Sequence, residues 1–139
     1  MPSDQELLEI YRSTKTIAVV GASEDESKPA HRIPAYLQSQ GYKVVPVNPR
    51  GGVVLGEQAY PTLSQVGATI DVVDVFRPPE EAETVARQAI EIGPRVLWFQ
   101  PGTDTPEATR AAMEAGLTVV TGRCLGETHG QLGLGPGPD

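Results

Sequence analysis

Thr16-Ile17-Ala18-Val19-Val20-Gly21-Ala22-Ser23 is the stretch whose reading decides the fold. A short run dominated by β-formers meets three small residues, the pattern of a strand that ends in a tight turn before a helix. At such a junction an open α/β sheet grips phosphate, because backbone N–H groups and a helix start face the anion and small side chains let it approach. A second run, Lys43-Val44-Val45-Pro46-Val47, leads into Asn48-Pro49-Arg50. It ends without the acidic residue that would hold a free ribose diol, and an arginine stands nearby instead. That favours a nucleotide carrying an extra phosphate over plain NAD.

The rest of the chain repeats the alternation. Strands are predicted at 70–76, 95–99 and 117–120, with a short one at 53–55. Helices are predicted at the start, over 32–40, 80–92 and 106–115, with one helical turn in 62–66. Ser3 and Glu6 have the spacing of a capping box, and Leu7, Leu8 and Tyr11 then form an inward stripe. Pro34 is expected in the first turn of its helix, since a proline deeper inside removes a hydrogen bond. The chain therefore reads as α/β: a Rossmann-like, open, doubly wound parallel sheet of about five strands in the order 3-2-1-4-5, with helices on both faces. One domain is expected over 1–132, and the Gly- and Pro-rich end, 133–139, reads as a flexible tail.

Composition narrows the functional classes. Two Phe and one Trp in 139 residues leave Val, Ile, Leu and Ala to build the core, as suits a buried parallel sheet. A net charge of -7 argues against a broad nucleic-acid surface or an anionic membrane as partner, though a local pocket can still take one phosphorylated molecule. The start lacks the basic-then-apolar pattern of a signal peptide, and no apolar stretch is long enough to span a membrane. The single cysteine, Cys124, cannot form an internal disulfide, which fits the cytoplasm.

Ligands of open α/β sheets bind beyond the carboxyl ends of the strands. Five segments follow strands here: Gly21-Ala22-Ser23, Asn48-Pro49-Arg50, Arg77-Pro78-Pro79, Gln100-Pro101-Gly102 and Gly122-Arg123-Cys124. Together they outline one crevice. The full GxGxxG pattern is missing, so the first segment reads equally as a plain turn. Lys28 can supply positive field and His31 can bond a ligand, while Glu24-Asp25-Glu26 are expected to point to solvent. Arg50 can grip a phosphate with paired donors or lie exposed. Trp98 reads as core, Cys124 as a small buried thiol and His129 as surface. His31, His129 and Cys124 share no metal-ligand spacing, and no nucleophile is paired with a base, so neither a metal nor a catalytic residue is assigned.

Val19-Val20-Gly21-Ala22-Ser23, Val45-Pro46-Val47-Asn48-Pro49, Asp74-Val75-Phe76-Arg77-Pro78 and Arg123-Cys124 together resemble the stand-alone CoA-binding-domain proteins of bacteria and archaea. That family is similar to the N-terminal domain of the succinyl-CoA synthetase α subunit. The resemblance covers roughly residues 10–132. It implies that Gly21, Ala22 and Ser23 meet the phosphates of coenzyme A, and that Val47, Asn48 and Pro49 border its adenosine, with Arg50 near the extra phosphate. It further implies that Phe76, Arg77 and Pro78 wall the cleft, and that Gln100, Pro101 and Gly102 approach the pantetheine. The synthetase's phosphoryl chemistry uses a histidine of a second domain, so ligase activity is not implied. The expected function is binding of coenzyme A or an acyl-CoA without catalysis, as carrier, sensor or partner subunit, with a protein partner or a second copy as further options. The alternative is a regulator or oxidoreductase that binds NADP or, less in keeping with Asn48 and the missing glycines, NAD; an enzyme using Cys124 on a CoA thioester is a third reading.

Overall fold

Side chains alternate across each central strand, and both sides are apolar. In β1 (Thr16–Val20), Ile17 and Val19 face one way and Ala18 and Val20 the other, and all four are buried. The same alternation runs through β2 (Lys43–Val47), β5 (Val72–Val75), β6 (Val96–Phe99) and β7 (Thr118–Val120). A sheet greasy on both faces must be covered twice, and the connections do this. The computed structural model, which describes residues 2–137, places α1 (Asp4–Ser13), α2 (Pro29–Ser39) and α5 (Leu125–Gln131) over one face. The other face is covered by the turn Leu63–Gln65 with α3 (Ala82–Ile92) and α4 (Pro106–Glu114). Alanines on the inner sides of α3 and α4, among them Ala82, Ala86, Ala108 and Ala112, bring these helices close to the sheet.

All five strands are parallel, in the spatial order β2-β1-β5-β6-β7. The excursion after β2 holds a two-residue antiparallel pair, β3 (Val53–Val54) and β4 (Glu57–Gln58). It then returns alongside β2 as a single parallel bridge between Val47 and Tyr60. That bridge occupies the third place of a 3-2-1-4-5 sheet in rudimentary form. The segment 70–76, counted third from the sequence, supplies β5 and lies against β1. β7 adds one strand beyond.

Local chemistry sets several boundaries. Ser3 caps α1 in a reciprocal box: its hydroxyl accepts from the Glu6 N–H at 3.2 Å, and its own N–H donates to the Glu6 carboxylate at 3.1 Å. Leu7, Ile10 and Tyr11 form the buried stripe, so Ile10 takes the place expected of Leu8. Thr105 caps α4, with Pro106 at the first position. Two helices depart from expectation. α2 begins at Pro29, so Pro34 lies inside it, and α5 forms despite its glycines. In the segment expected to be a flexible tail, Leu134 packs on the α1–α2–α5 side and the Gly137 N–H donates to the Gln40 carbonyl at 2.8 Å. Residues 138 and 139 lie outside the described residues.

Replacing the cap, Ser3→Ala, is expected to lower stability by about 1 kcal/mol in urea unfolding. An unchanged midpoint would mean that the box does not hold the start of α1.

Candidate functional site

The turns after β1 and β2 are tied to each other. The Gly21 N–H donates to the Val47 carbonyl at 2.8 Å. The Asn48 side-chain amide donates to the Ala22 carbonyl at 2.9 Å, and its oxygen accepts from the Arg50 N–H at 2.8 Å. Asn48 thus stands where dinucleotide folds carry a ribose-binding acid, but it acts as a strut between two loops. Gly21 has φ +92° and faces Arg77 and Phe76. A Cβ at Gly21 would lie 2.8 Å from the Arg77 Cδ and 3.1 Å from the Phe76 carbonyl oxygen. Only glycine meets both demands.

Pro34 explains how the first turn is held. An α-helical N–H at this position would bond the Ala30 carbonyl, but proline has none. That carbonyl instead accepts from the Ser23 N–H at 3.2 Å. His31 Nδ1 donates to the Ser23 carbonyl at 2.7 Å, which places the proton on Nδ1 because a carbonyl can only accept. The Ser23 hydroxyl accepts from the Asp25 N–H at 3.0 Å. Two of the three amides of Gly21-Ala22-Ser23 are therefore already engaged, and the Ala22 N–H is the one with no recorded partner among the described residues.

Between these turns lies a cleft of about 850 Å³. Gly21, Ala22 and Ser23 line one side, Asn48, Pro49, Arg50, Gly51 and Gly52 the other, and Phe76 and Arg77 the wall. Lys28 and Ala30, at the start of α2, complete it. Its cations are Lys28, Arg50 and Arg77. The Arg77 guanidinium is engaged by Glu81, to which its Nε and Nη2 donate at 3.1 and 2.6 Å. That paired bond holds the Glu81 carboxyl below its ordinary range and raises Arg77. Arg77 is therefore a neutralised wall. Lys28 and Arg50 are exposed and supply the open positive charge. Glu24 and Asp25 also line the cleft, rather than turning wholly to solvent as expected.

Residues 15–130 match the model of a CoA binding domain family. The chain belongs to this family. It is 36% identical over 128 residues to the uncharacterized protein YneT of Bacillus subtilis, covering 92% of this chain and 95% of that one. It is 26% identical over 139 residues to the α subunit of acetate–CoA ligase (ADP-forming) II of Pyrococcus furiosus. That match takes in 91% of this chain but spans only 30% of the subunit. Among solved structures, a Thermus thermophilus protein superimposes with a TM-score of 0.91 at 43% identity, covering 94% of this chain and 99% of that one. A hypothetical protein from Pyrococcus horikoshii gives 0.92 at 40% identity, covering 94% and 92%.

The remaining candidates lie along the same sheet edge, outside the cleft lining. Val47 is core. Pro78, Pro101 and Gly102 are exposed. Gln100 is buried, and its side-chain oxygen accepts from the Leu125 N–H at 3.0 Å. Cys124 is buried at the start of α5, where burial pushes its thiol up. Trp98 is core, and its Nε1 donates to the Arg123 carbonyl at 2.7 Å. His129, read as surface, is instead 1% exposed.

Sequence reasoning missed Glu81, Asp74 and the role of Pro34. Glu81 had a signal, since it stands four residues after Arg77 at the start of a helix. Asp74 had one too, as a lone acid inside Val72-Val73-Asp74-Val75. Pro34 had none, because the donor that uses its vacated carbonyl is eleven residues away.

Two substitutions probe this geometry. Gly21→Ala should destabilise by about 1–3 kcal/mol, and more than Gly102→Ala, whose φ is also positive (+82°) but whose Cβ would meet nothing within 4 Å. Equal costs in thermal unfolding would contradict the close approach at Gly21. In Pro34→Ala the restored helical N–H competes for the Ala30 carbonyl, so the Ser23 amide should lose protection in hydrogen exchange. Unchanged protection would break the link.

Proposed function

We propose that this protein binds coenzyme A or an acyl-CoA across the ends of β1, β2 and β5, and acts as a carrier, sensor or partner subunit without catalysis of its own. The observation that carries this reading is the cleft itself, formed within the stretch that matches the CoA binding domain family. Lys28, the Ala22 N–H and the start of α2 are the donors for the phosphates. Asn48 and Pro49 border the adenosine, with Arg50 at its extra phosphate and Phe76 and Arg77 as the wall. The pantetheine then runs along the strand ends past Gln100, Pro101 and Gly102 towards Cys124.

The ligase relatives contain a great deal of chain that this protein does not match, so their reaction is not assigned to it. Cys124 is a poor nucleophile here, since burial disfavours its thiolate more than the hydrogen bonds from the Glu127 and Gly126 backbone and the Gln100 side chain favour it. The family match gives no support to NADP as ligand. No helix among the described residues is long and apolar enough to cross a membrane.

Calorimetric titration tests the reading. Coenzyme A should bind more tightly than dephospho-CoA by ~1.5–3 kcal/mol, about ten- to a hundredfold, the worth of one charged hydrogen bond. Arg50→Ala should abolish that preference while leaving dephospho-CoA affinity nearly unchanged. Absence of heat with coenzyme A at millimolar concentration would overturn the function. Equal binding of the two ligands to the unmodified protein would remove Arg50 from its assigned role.

A further inference from the structure

Three buried side-chain atoms among the described residues lack a hydrogen-bond partner: both carboxyl oxygens of Asp74 and Nε2 of His129. Native interiors rarely leave such groups unpaired, because each costs free energy unless water or a partner reaches it. Both residues lie on the same side of the sheet. Asp74 stands on β5 between Val19 and Trp98, on the face that α1, α2 and α5 cover. His129 belongs to α5 and is enclosed by the rings of Tyr11, Tyr36 and Tyr42, with centroids at 5.5, 5.5 and 5.7 Å.

The seating of α5 is largely polar. Tyr11 donates to the Leu125 carbonyl at 2.6 Å, Gln100 accepts from the Leu125 N–H, and the Tyr36 hydroxyl meets His129 Nδ1 at 2.8 Å. Leu125 is the one apolar side chain among its seven residues. Gly126 and Gly130 each lower helix propensity by about 1 kcal/mol relative to alanine. Local opening is drawn from elements of this kind, short and with few apolar contacts.

No charged side chain faces the orphans; the one group that favours a charge is the Gly135 backbone, which hydrogen-bonds the His129 imidazole. His129 faces phenols from α1 (Tyr11), α2 (Tyr36) and the residue before β2 (Tyr42). Asp74 acts on Tyr11 and on the Cys124 thiol, and the nearby Arg123 is paired with Asp4 of α1 at 3.6 Å. Burial drives the Asp74 carboxyl well up and, against the Gly135 hydrogen bond, brings the His129 imidazole down, so it favours the neutral form of both.

We propose that α5 is a detachable cap whose opening exchanges two protons, one leaving Asp74 and one joining His129. Once water reaches them, Asp74 ionises above about pH 3.9 and His129 protonates below about pH 6.5, their ordinary values. The Asp74 step makes opening easier as pH rises, and the His129 step makes it easier as pH falls. Just below about pH 6.5 the two slopes oppose each other. Above that, only Asp74 remains, and opening grows about tenfold per pH unit until Asp74 ionises in place. Opening uncovers Cys124 and loosens the contact of Gly126 with Ile33 of α2, the helix whose start lines the cleft.

The test needs no ligand, so it is independent of the coenzyme A reading. Native-state hydrogen exchange on the whole chain is followed from pH 5 to 8 and corrected for intrinsic rates. The amides of Thr128 and Leu132, which close turns of α5, are compared with strand amides such as that of Leu97. The α5 amides should open more readily than the strands, with a profile that is shallower just below about pH 6.5 than above it, where it rises. Asp74→Asn should leave opening that increases only towards acid, and His129→Gln opening that increases with pH across the range. Tyr36→Phe keeps both titrating groups, and should raise opening at every pH without altering the slope. Exchange of α5 in step with the strands, or the same profile in all variants, would overturn the proposal. If neither titration variant folds, a profile of the unmodified protein that stays flat above pH 6.5 would also overturn it.

Discussion

Parallel pairing of β1 on both sides is the constraint on which the rest of the structure depends. β2 flanks one edge of β1 and β5 the other. A parallel crossover must be right-handed, so connections leaving towards opposite edges cover opposite faces of the sheet. The chain leaving β1 turns to α2 on one face and the chain leaving β5 to α3 on the other, so the turns after these two strands part and leave a gap. The cleft includes that gap, with the turn after β2 as its further wall.

The walls are tied by hydrogen bonds of their own. The Gly21 N–H to Val47 bond, the Asn48 strut, the Ser23–Ala30 bond and the Arg77–Glu81 pair hold each wall to a neighbouring element. Preorganisation lowers the ordering cost of binding and leaves selectivity to the few groups still open. Those groups are Lys28, Arg50 and the Ala22 N–H, against the carboxylates of Glu24 and Asp25. The charge balance of the cleft is modest, in a chain of net charge -7.

The two helical layers differ in kind. α3 and α4 sit on the sheet through alanines and aliphatic side chains. α5 sits over tyrosines, a histidine and an unpaired acid. Removing a helix of the first kind exposes apolar surface, whereas removing α5 relieves buried polar groups. The same sheet can thus support one firm face and one that yields.

Much of this was legible in residue order. Alternating apolar runs, the Ser3–Glu6 box and the small residues after β1 marked the strands, a helix start and the edge that bears the cleft, because these depend on neighbours within a few positions. The start of α2 was misplaced because the vacated Ala30 carbonyl is satisfied from outside the helix. His129 looked like surface because polar residues usually are, and only the meeting of three tyrosines from separate segments buries it. The sequence by itself determined which segments would be strands and at which end of them the cleft lies. Tertiary structure alone decided which loop tips share a cavity, which polar groups are already engaged and which acid lies sealed in the sheet, since burial and hydrogen-bond partners belong to segments distant along the chain.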